Sequence, residues 1–252
     1  MKIFNFINIK KRGKDQRKAE CPYCGKCLEK KPGAKTKCSS CDNYIYVRTN
    51  TRGVRLTVTK SEADKIDEEW RIKNGTQEAY LVEKERYRKR KEKLLNKSES
   101  KNKISDFDVQ WSLLNEDILN YAKKHQWGLY RNTRFQMGEM LRRQNKLEYA
   151  LGFYLAVCYL DLNGPQNMPL DDSENVVKLE DDIMKPFDQE FSFLAPGVIE
   201  RIEKIIKKLD LKKKKIEEIY NKFAEKEKKA INPPRSPSEC FNEIKRNLII
   251  NN

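Results

Sequence analysis

Residues 44–47 are an apolar run, apolar residues alternate with polar ones over 54–58, and from residue 105 onwards they recur at three- and four-residue spacing. Alternation suits a half-buried strand, and the longer spacing suits helices with one buried face. Tyr44-Ile45-Tyr46-Val47-Arg48-Thr49 is β-branched and aromatic, and Arg52-Gly53 offers a turn into a second strand, Val54-Arg55-Leu56-Thr57-Val58. Thr59 or Ser61 can then cap a helix carrying Ala63, Ile66 and Trp70, with Glu62 placed for a capping box on Thr59. Gly75 and Thr76 interrupt that helix. Gln77 to Leu95 reads as a long, mostly exposed helix that fades into a Ser- and Lys-rich linker over 96–103.

The later pattern predicts a helical domain. Asp106 can cap a helix with Val109, Leu113, Leu114, Ile118, Leu119 and Tyr121 on one side. Arg131 to Leu162 sets Phe135, Met137, Gly138 and Leu141 against Tyr149, Ala150, Phe153, Tyr154, Val157 and Tyr159, across the short turn Arg143-Gln144-Asn145-Lys146. Pro196 and Gly197 open a helix with Val198, Ile202, Ile205, Ile206 and Leu209, and a second carries Ile216, Ile219, Tyr220 and Phe223. After Asn232-Pro233-Pro234, Ser238 can cap a last helix through Phe241, Ile244 and Leu248.

Four of the seven cysteines have the spacing of a metal site. Cys21-Pro22-Tyr23-Cys24-Gly25 and Cys38-Ser39-Ser40-Cys41-Asp42 form two CxxC pairs with thirteen residues between them. Two residues between cysteines let both sulfurs face one ion, and Gly25 after the first pair, like Asp42 and Asn43 after the second, tolerates a left-handed backbone. The expected cofactor is one structural Zn²⁺ held by Cys21, Cys24, Cys38 and Cys41, since four thiolates leave no open coordination position. Cys27, which also makes a CxxC with Cys24, is a spare thiol or an alternative ligand. Cys158 and Cys240 are expected outside the site, Cys158 as a small buried residue.

The segment from Cys21 to Thr49, CPYCGKCLEKKPGAKTKCSSCDNYIYVRT, resembles the zinc ribbons of transcription factors, RNA polymerase subunits and ribosomal proteins. It also resembles the ribbon at the head of uncharacterised proteins from Gram-positive bacteria and their phages or prophages, which pair similar CPYCGK and YIYVRT sequences with a helical remainder. That resemblance implies a bacterial protein with nucleic acid or a nucleic-acid machine as partner, although ribbons also mediate protein contacts, and seven cysteines with a reduced zinc cluster fit a cytoplasm. The 131–162 stretch resembles one tetratricopeptide unit, with Gly138, Leu141, Asn145, Ala150 and Tyr154 at its small, large, turn, small and aromatic positions, although Val157 and Leu162 depart from it and no second copy follows. The expected fold is mainly α: a basic segment over 1–19, a small β zinc ribbon over 20–58, a charged helical connector over 59–104 and an α-helical bundle with a tetratricopeptide-like hairpin over 105–252.

Charge narrows the choice of function. The chain has 252 residues and a formal charge of +15, and 16 of its 53 Lys and Arg fall in residues 1–60 against only four acids. A segment of that kind attracts a polyanion, and salt weakens the attraction. The candidate nucleic-acid contacts are Lys35, Lys37, Arg48 and Arg55 on the ribbon and Arg86, Arg88 and Arg90 on the connector helix, where Tyr80 and Tyr87 could stack on bases. The segment 161–190 reverses the sign, with nine acids against two lysines, and is expected to be a solvated loop with one short helix. Met1–Ile9 is too short and too polar for an export signal and is expected as a docked strand or helical turn.

The expectation is a non-enzymatic, cytoplasmic zinc-ribbon protein that associates with DNA or RNA, with no membrane and no small-molecule substrate. The alternative is a protein–protein adaptor working through the ribbon and the hairpin. A nuclease built on Asp171, Asp172 and Glu174 lacks a phosphate-cradling loop, and the one histidine, His125, is expected at a helix end rather than in catalysis.

Overall fold

A computed structural model describes residues 14–97, 104–177 and 185–248. The chain is mainly helical, with a small antiparallel sheet near its start. It divides into two compact units, residues 1–88 and 89–252, and the division falls within one helix. The docked element expected over Met1–Ile9 and the linker over 98–103 lie outside the described residues.

In the first unit, β1 (Thr36–Lys37), β2 (Tyr44–Thr49) and β3 (Arg55–Val58) lie in the order β1-β2-β3. Strand β2 is central, with Ile45 opposite Thr36 and Tyr46 opposite Val58. The sequence pattern gave no sign of β1, a two-residue strand whose side chains are both exposed. Helix α1 (Lys60–Lys73) begins with the capping box of Thr59 and Glu62 and lays Ala63, Ile66 and Trp70 on Tyr46, Leu56 and Val58. Trp70 donates from its indole nitrogen to the Thr49 carbonyl at 2.6 Å, and Arg48 pairs with Asp67 at 2.8 Å. Two polar ties thus fix a helix whose apolar stripe is narrow. Helix α2 (Gln77–Lys97) buries none of its residues.

In the second unit, α3 (Asp106–Lys123), α4 (Trp127–Arg143), α5 (Leu147–Asp161), α6 (Pro196–Leu209), α7 (Lys213–Ile231) and α8 (Pro237–Asn247) pack around α5. Twelve of the fifteen residues of α5 are buried, so it is the core helix that an all-round apolar surface requires. Helices α4, α6, α7 and α8 all pack against it. Gly138 on α4 admits the Tyr154 ring, which a methyl group would meet at 3.0 Å, and Gly152 on α5 lies under Phe223 of α7, which a methyl group would meet at 2.3 Å. The α4–α5 turn falls at Gln144–Lys146, with Asn145 at φ 56°.

Three local expectations are corrected. Ser105, not Asp106, caps α3, because Ser105 and Asp108 satisfy each other's backbone amides in a capping box and leave Asp106 inside the first turn. Ser236, not Ser238, caps α8, with Glu239 completing the box and Pro237 in the first turn, where its missing amide costs nothing. The acidic segment is not wholly solvated: Asp161 is buried and takes a bidentate pair from Arg131 at 2.6 and 2.7 Å. Burial raises the Asp161 carboxyl above the usual range even though the Arg131 guanidinium draws it down. The described part of that segment carries one short 3₁₀ turn, Gln189–Phe191, and is pinned by Phe187 stacked on Trp127 at 5.5 Å.

Candidate metal centre and basic surface

The two cysteine pairs sit on two turns of the same construction. Cys21 donates its amide to the Lys26 carbonyl and accepts from Gly25, while Cys38 donates to Asn43 and accepts from Asp42, all at 2.9–3.0 Å. Gly25 and Asp42 stand at the same offset and have φ of 71° and 58°. Each turn therefore curls its amides round its own sulfurs. The Ser40 amide and the Asn43 side-chain nitrogen lie 3.5 Å from the sulfurs of Cys38 and Cys41, respectively.

The Sγ atoms of Cys21, Cys24, Cys38 and Cys41 all lie within 4.8 Å of one another. Cys21 to Cys41 is 3.8 Å and Cys24 to Cys38 is 3.9 Å, far beyond a disulfide bond of about 2.05 Å. A tetrahedron with metal–sulfur bonds of about 2.3 Å has edges of about 3.8 Å, so the donor set fits a four-coordinate metal ion. Amides of Cys41 and Ser40 draw the Cys38 thiol down to about 6. The Lys26 amide also pulls Cys24 down, but desolvation and the three neighbouring sulfurs outweigh it and leave that thiol at about 11. Ile45, fully buried, and Leu28 back the cluster.

Cys27 stands apart. It faces Glu20 across a short antiparallel bridge that leaves its side chain exposed and outside the four-sulfur group. Cys158 is buried in the helical unit, where desolvation pushes its thiol well above the ordinary range, and Cys240 is buried beside Asn163.

The expected nucleic-acid contacts are unequally available. Lys35 holds its ammonium 4.2 Å from the Tyr44 ring centre and 5.4 Å from that of Tyr46, with no carboxylate partner. Arg55 donates to the Gly33 carbonyl at 2.8 Å, which leaves its charge uncompensated. Lys37 pairs with Asp42 at 2.9 Å and Arg48 with Asp67 at 2.8 Å. On α2, Arg86 lies 3.8 Å from Glu83, Arg88 forks onto Glu85 at 2.6 and 2.7 Å, and Arg90 pairs with Glu116. Tyr80 is covered on one face by the Arg71 guanidinium at 3.9 Å.

Lysines that the sequence reading passed over are better placed. Lys18, Lys26, Lys30 and Lys31 are exposed on the ribbon, and among the described residues none has a carboxylate within 4.0 Å. Exposed Tyr23 and Tyr44 share that surface region. Only pairing distinguishes these cations from Lys37 and Arg48, and pairing is a property of the fold.

Among the acids, Asp171 spends its carboxylate on the amides of Ser173 and Asn175, which lower its pKa, and Glu174 pairs with Lys124. His125 is exposed, adopts φ 50° just after α3, and leans on the Trp127 ring at 5.5 Å. No helix of the described residues is long and apolar enough to cross a membrane. Compared with protein-family models, with curated proteins and with solved structures, the chain matches none.

Proposed function

We propose that the chain is a non-enzymatic nucleic-acid-associated protein whose four-cysteine centre holds one structural Zn²⁺ and whose ribbon lies on a phosphate backbone. The observation that carries this reading is the ribbon's surplus of unpaired cations. Residues 14–58 hold eleven Lys and Arg against four acids, and among the described residues Lys18, Lys26, Lys30, Lys31, Lys35 and Arg55 have no carboxylate within 4.0 Å. Four thiolates around Zn²⁺ remove about two units of charge and leave the segment strongly positive. Exposed Tyr44 beside Lys35 adds a flat face on which an unpaired base can stack.

Zinc is favoured over other ions by the all-thiolate, four-coordinate donor set, and a closed set gives it a structural role. Four thiols grouped as metal ligands suit a reducing, cytoplasmic compartment. The expected resemblance to phage and prophage ribbon proteins is part of this reading and rests on the two motifs alone.

The test is a ribbon variant, Lys26→Glu, Lys30→Glu, Lys31→Glu and Lys35→Glu, compared with wild type for binding of labelled single-stranded and duplex DNA and RNA at physiological salt. Loss of at least tenfold in affinity with zinc content unchanged supports the reading. Unchanged affinity removes the ribbon from the interface and leaves the adaptor function to be sought by protein partners instead.

A further inference from the structure

The helical unit is close to neutral in sequence, yet its charge is strongly sorted in space. Helix α5 is about 22 Å long. At its start, the α4–α5 turn meets the α6–α7 turn: Lys208 donates to the Asn145 side chain at 3.2 Å, and Lys215 pairs with Glu148 at 3.1 Å. The two converging segments, 142–148 and 204–215, hold ten Lys and Arg against two acids, Glu148 and Asp210. At the other end of α5 lie Asp161 and the loop carrying Asp171, Asp172, Glu174, Asp188 and Glu190. At that end Arg131 and Lys124 meet Asp161 and Glu174, whereas the two converging segments keep a surplus of bases.

We infer that the α4–α5 and α6–α7 turns together form a second contact for the phosphate backbone of a nucleic acid. Every basic residue of the two segments is exposed. Arg143, Lys207, Lys213 and Lys214 face no carboxylate within 4.0 Å among the described residues. Beside them runs a cleft of about 400 Å³ between the α4–α5 turn and α6, lined by Arg142, Arg201, Lys208 and the paired Lys204 and Glu200, and floored by Leu147 and Ile205. Glu139 holds both guanidiniums in place, at 2.8 Å from Arg142 and 2.7 Å from Arg201. Two fixed guanidiniums and the Lys208 ammonium around a cleft of that size suit a phosphate with its sugar. This contact shares its class of ligand with the ribbon reading and stands on different residues.

The experiment uses the full, zinc-loaded chain in three forms: wild type, the ribbon variant above, and an end variant carrying Arg143→Glu, Lys207→Glu, Lys213→Glu and Lys214→Glu. A second end variant with Gln at the same positions separates lost attraction from added repulsion. Glu favours the start of α7 and disfavours the ends of α4 and α6, so the thermal midpoint should stay near wild type. Binding of a labelled single-stranded oligonucleotide and of its duplex is followed against salt. Each lost phosphate contact lowers the slope of log K against log salt by about 0.9 for duplex and about 0.7 for single strand, so the end variant should lose at least tenfold in affinity and flatten the slope by about 2–3, with the Gln form in between.

Unchanged slope and affinity in both end variants overturn the inference while leaving the ribbon reading intact. Loss in the end variant with none in the ribbon variant upholds the inference and removes the ribbon. Absence of binding by wild type at low salt overturns both. Salt-sensitive self-association that the end variant abolishes, with nucleic-acid binding retained, also overturns it, because the face then meets the acidic end of a second copy.

Discussion

Glu139 shows how much a single carboxylate holds together. It accepts from Arg142, Arg201 and Tyr154, the last at 2.6 Å, and so joins α4, α5 and α6. Desolvation alone would raise its pKa, but the bonds from Arg142, Tyr154 and Arg201 prevail and hold it at about 2, against an ordinary 4.5. A carboxylate lowered on folding stabilises fully above about pH 4.5, and that stabilisation fades as pH falls towards about 2. Glu139→Gln should therefore cost about 2 kcal/mol at neutral pH, and the difference from wild type should shrink in acid, as denaturant melts across pH can measure. The cysteines make a sharper prediction. Cys38→Ser removes the ligand whose thiol ionises most readily, and it should abolish stoichiometric zinc and unfold the ribbon while the helical unit keeps its circular dichroism. Cys27→Ser should leave zinc content unchanged, because that thiol lies outside the four-sulfur group. The ligand set could be read from the sequence because the CxxC turns repeat, with Gly25 and Asp42 at the same offset. The availability of each cation could not be read, since Arg48 finds Asp67 and Arg90 finds Glu116 only once the chain has folded.

Among the elements, α5 and α7 form the tightest crossing. The Phe223 ring occupies the space above Gly152, and a methyl group there would come within 2.3 Å of it. Gly152→Ala should cost about 1–3 kcal/mol by forcing the helices apart or the ring off its rotamer, which a thermal melt would show. The helical spacing announced α6 from Pro196 to Leu209 and a second helix whose stripe, Ile216 to Phe223, lies within α7, because both apolar stripes are unbroken. It could not say which of two neighbouring polar residues caps a helix, and at α3 and α8 the choice is settled by the acid three places on, Asp108 or Glu239. Strand β1 gave no signal because both its residues are exposed and its pairing depends on β2. Helix α7 starts with Lys213, Lys214 and Lys215, no acid and no side-chain cap, although a helix start favours negative charge. Lys213→Glu with Lys214→Glu should consequently raise the melting temperature while weakening nucleic-acid binding. A sequence that retains repulsion at that place carries a cost that binding can explain.

At the scale of the whole molecule, the charge has two centres rather than one. The sequence assigns the surplus to the first 60 residues because its later acids and bases nearly cancel in number. Folding brings residues 142–148 and 204–215 together at the start of α5 and so makes a local surplus of bases, which no count along the chain can reveal. The ribbon and the basic end of the helical unit are thus proposed to share one kind of ligand. Such sharing predicts a salt dependence steeper than either surface would produce alone, since released counterions add. The most direct measurement is the affinity of the full, zinc-loaded protein for a labelled oligonucleotide across a salt series. The account predicts tight binding at low salt and a steep linear fall of log K with log salt. An affinity independent of salt, or no binding even at low salt, would contradict it.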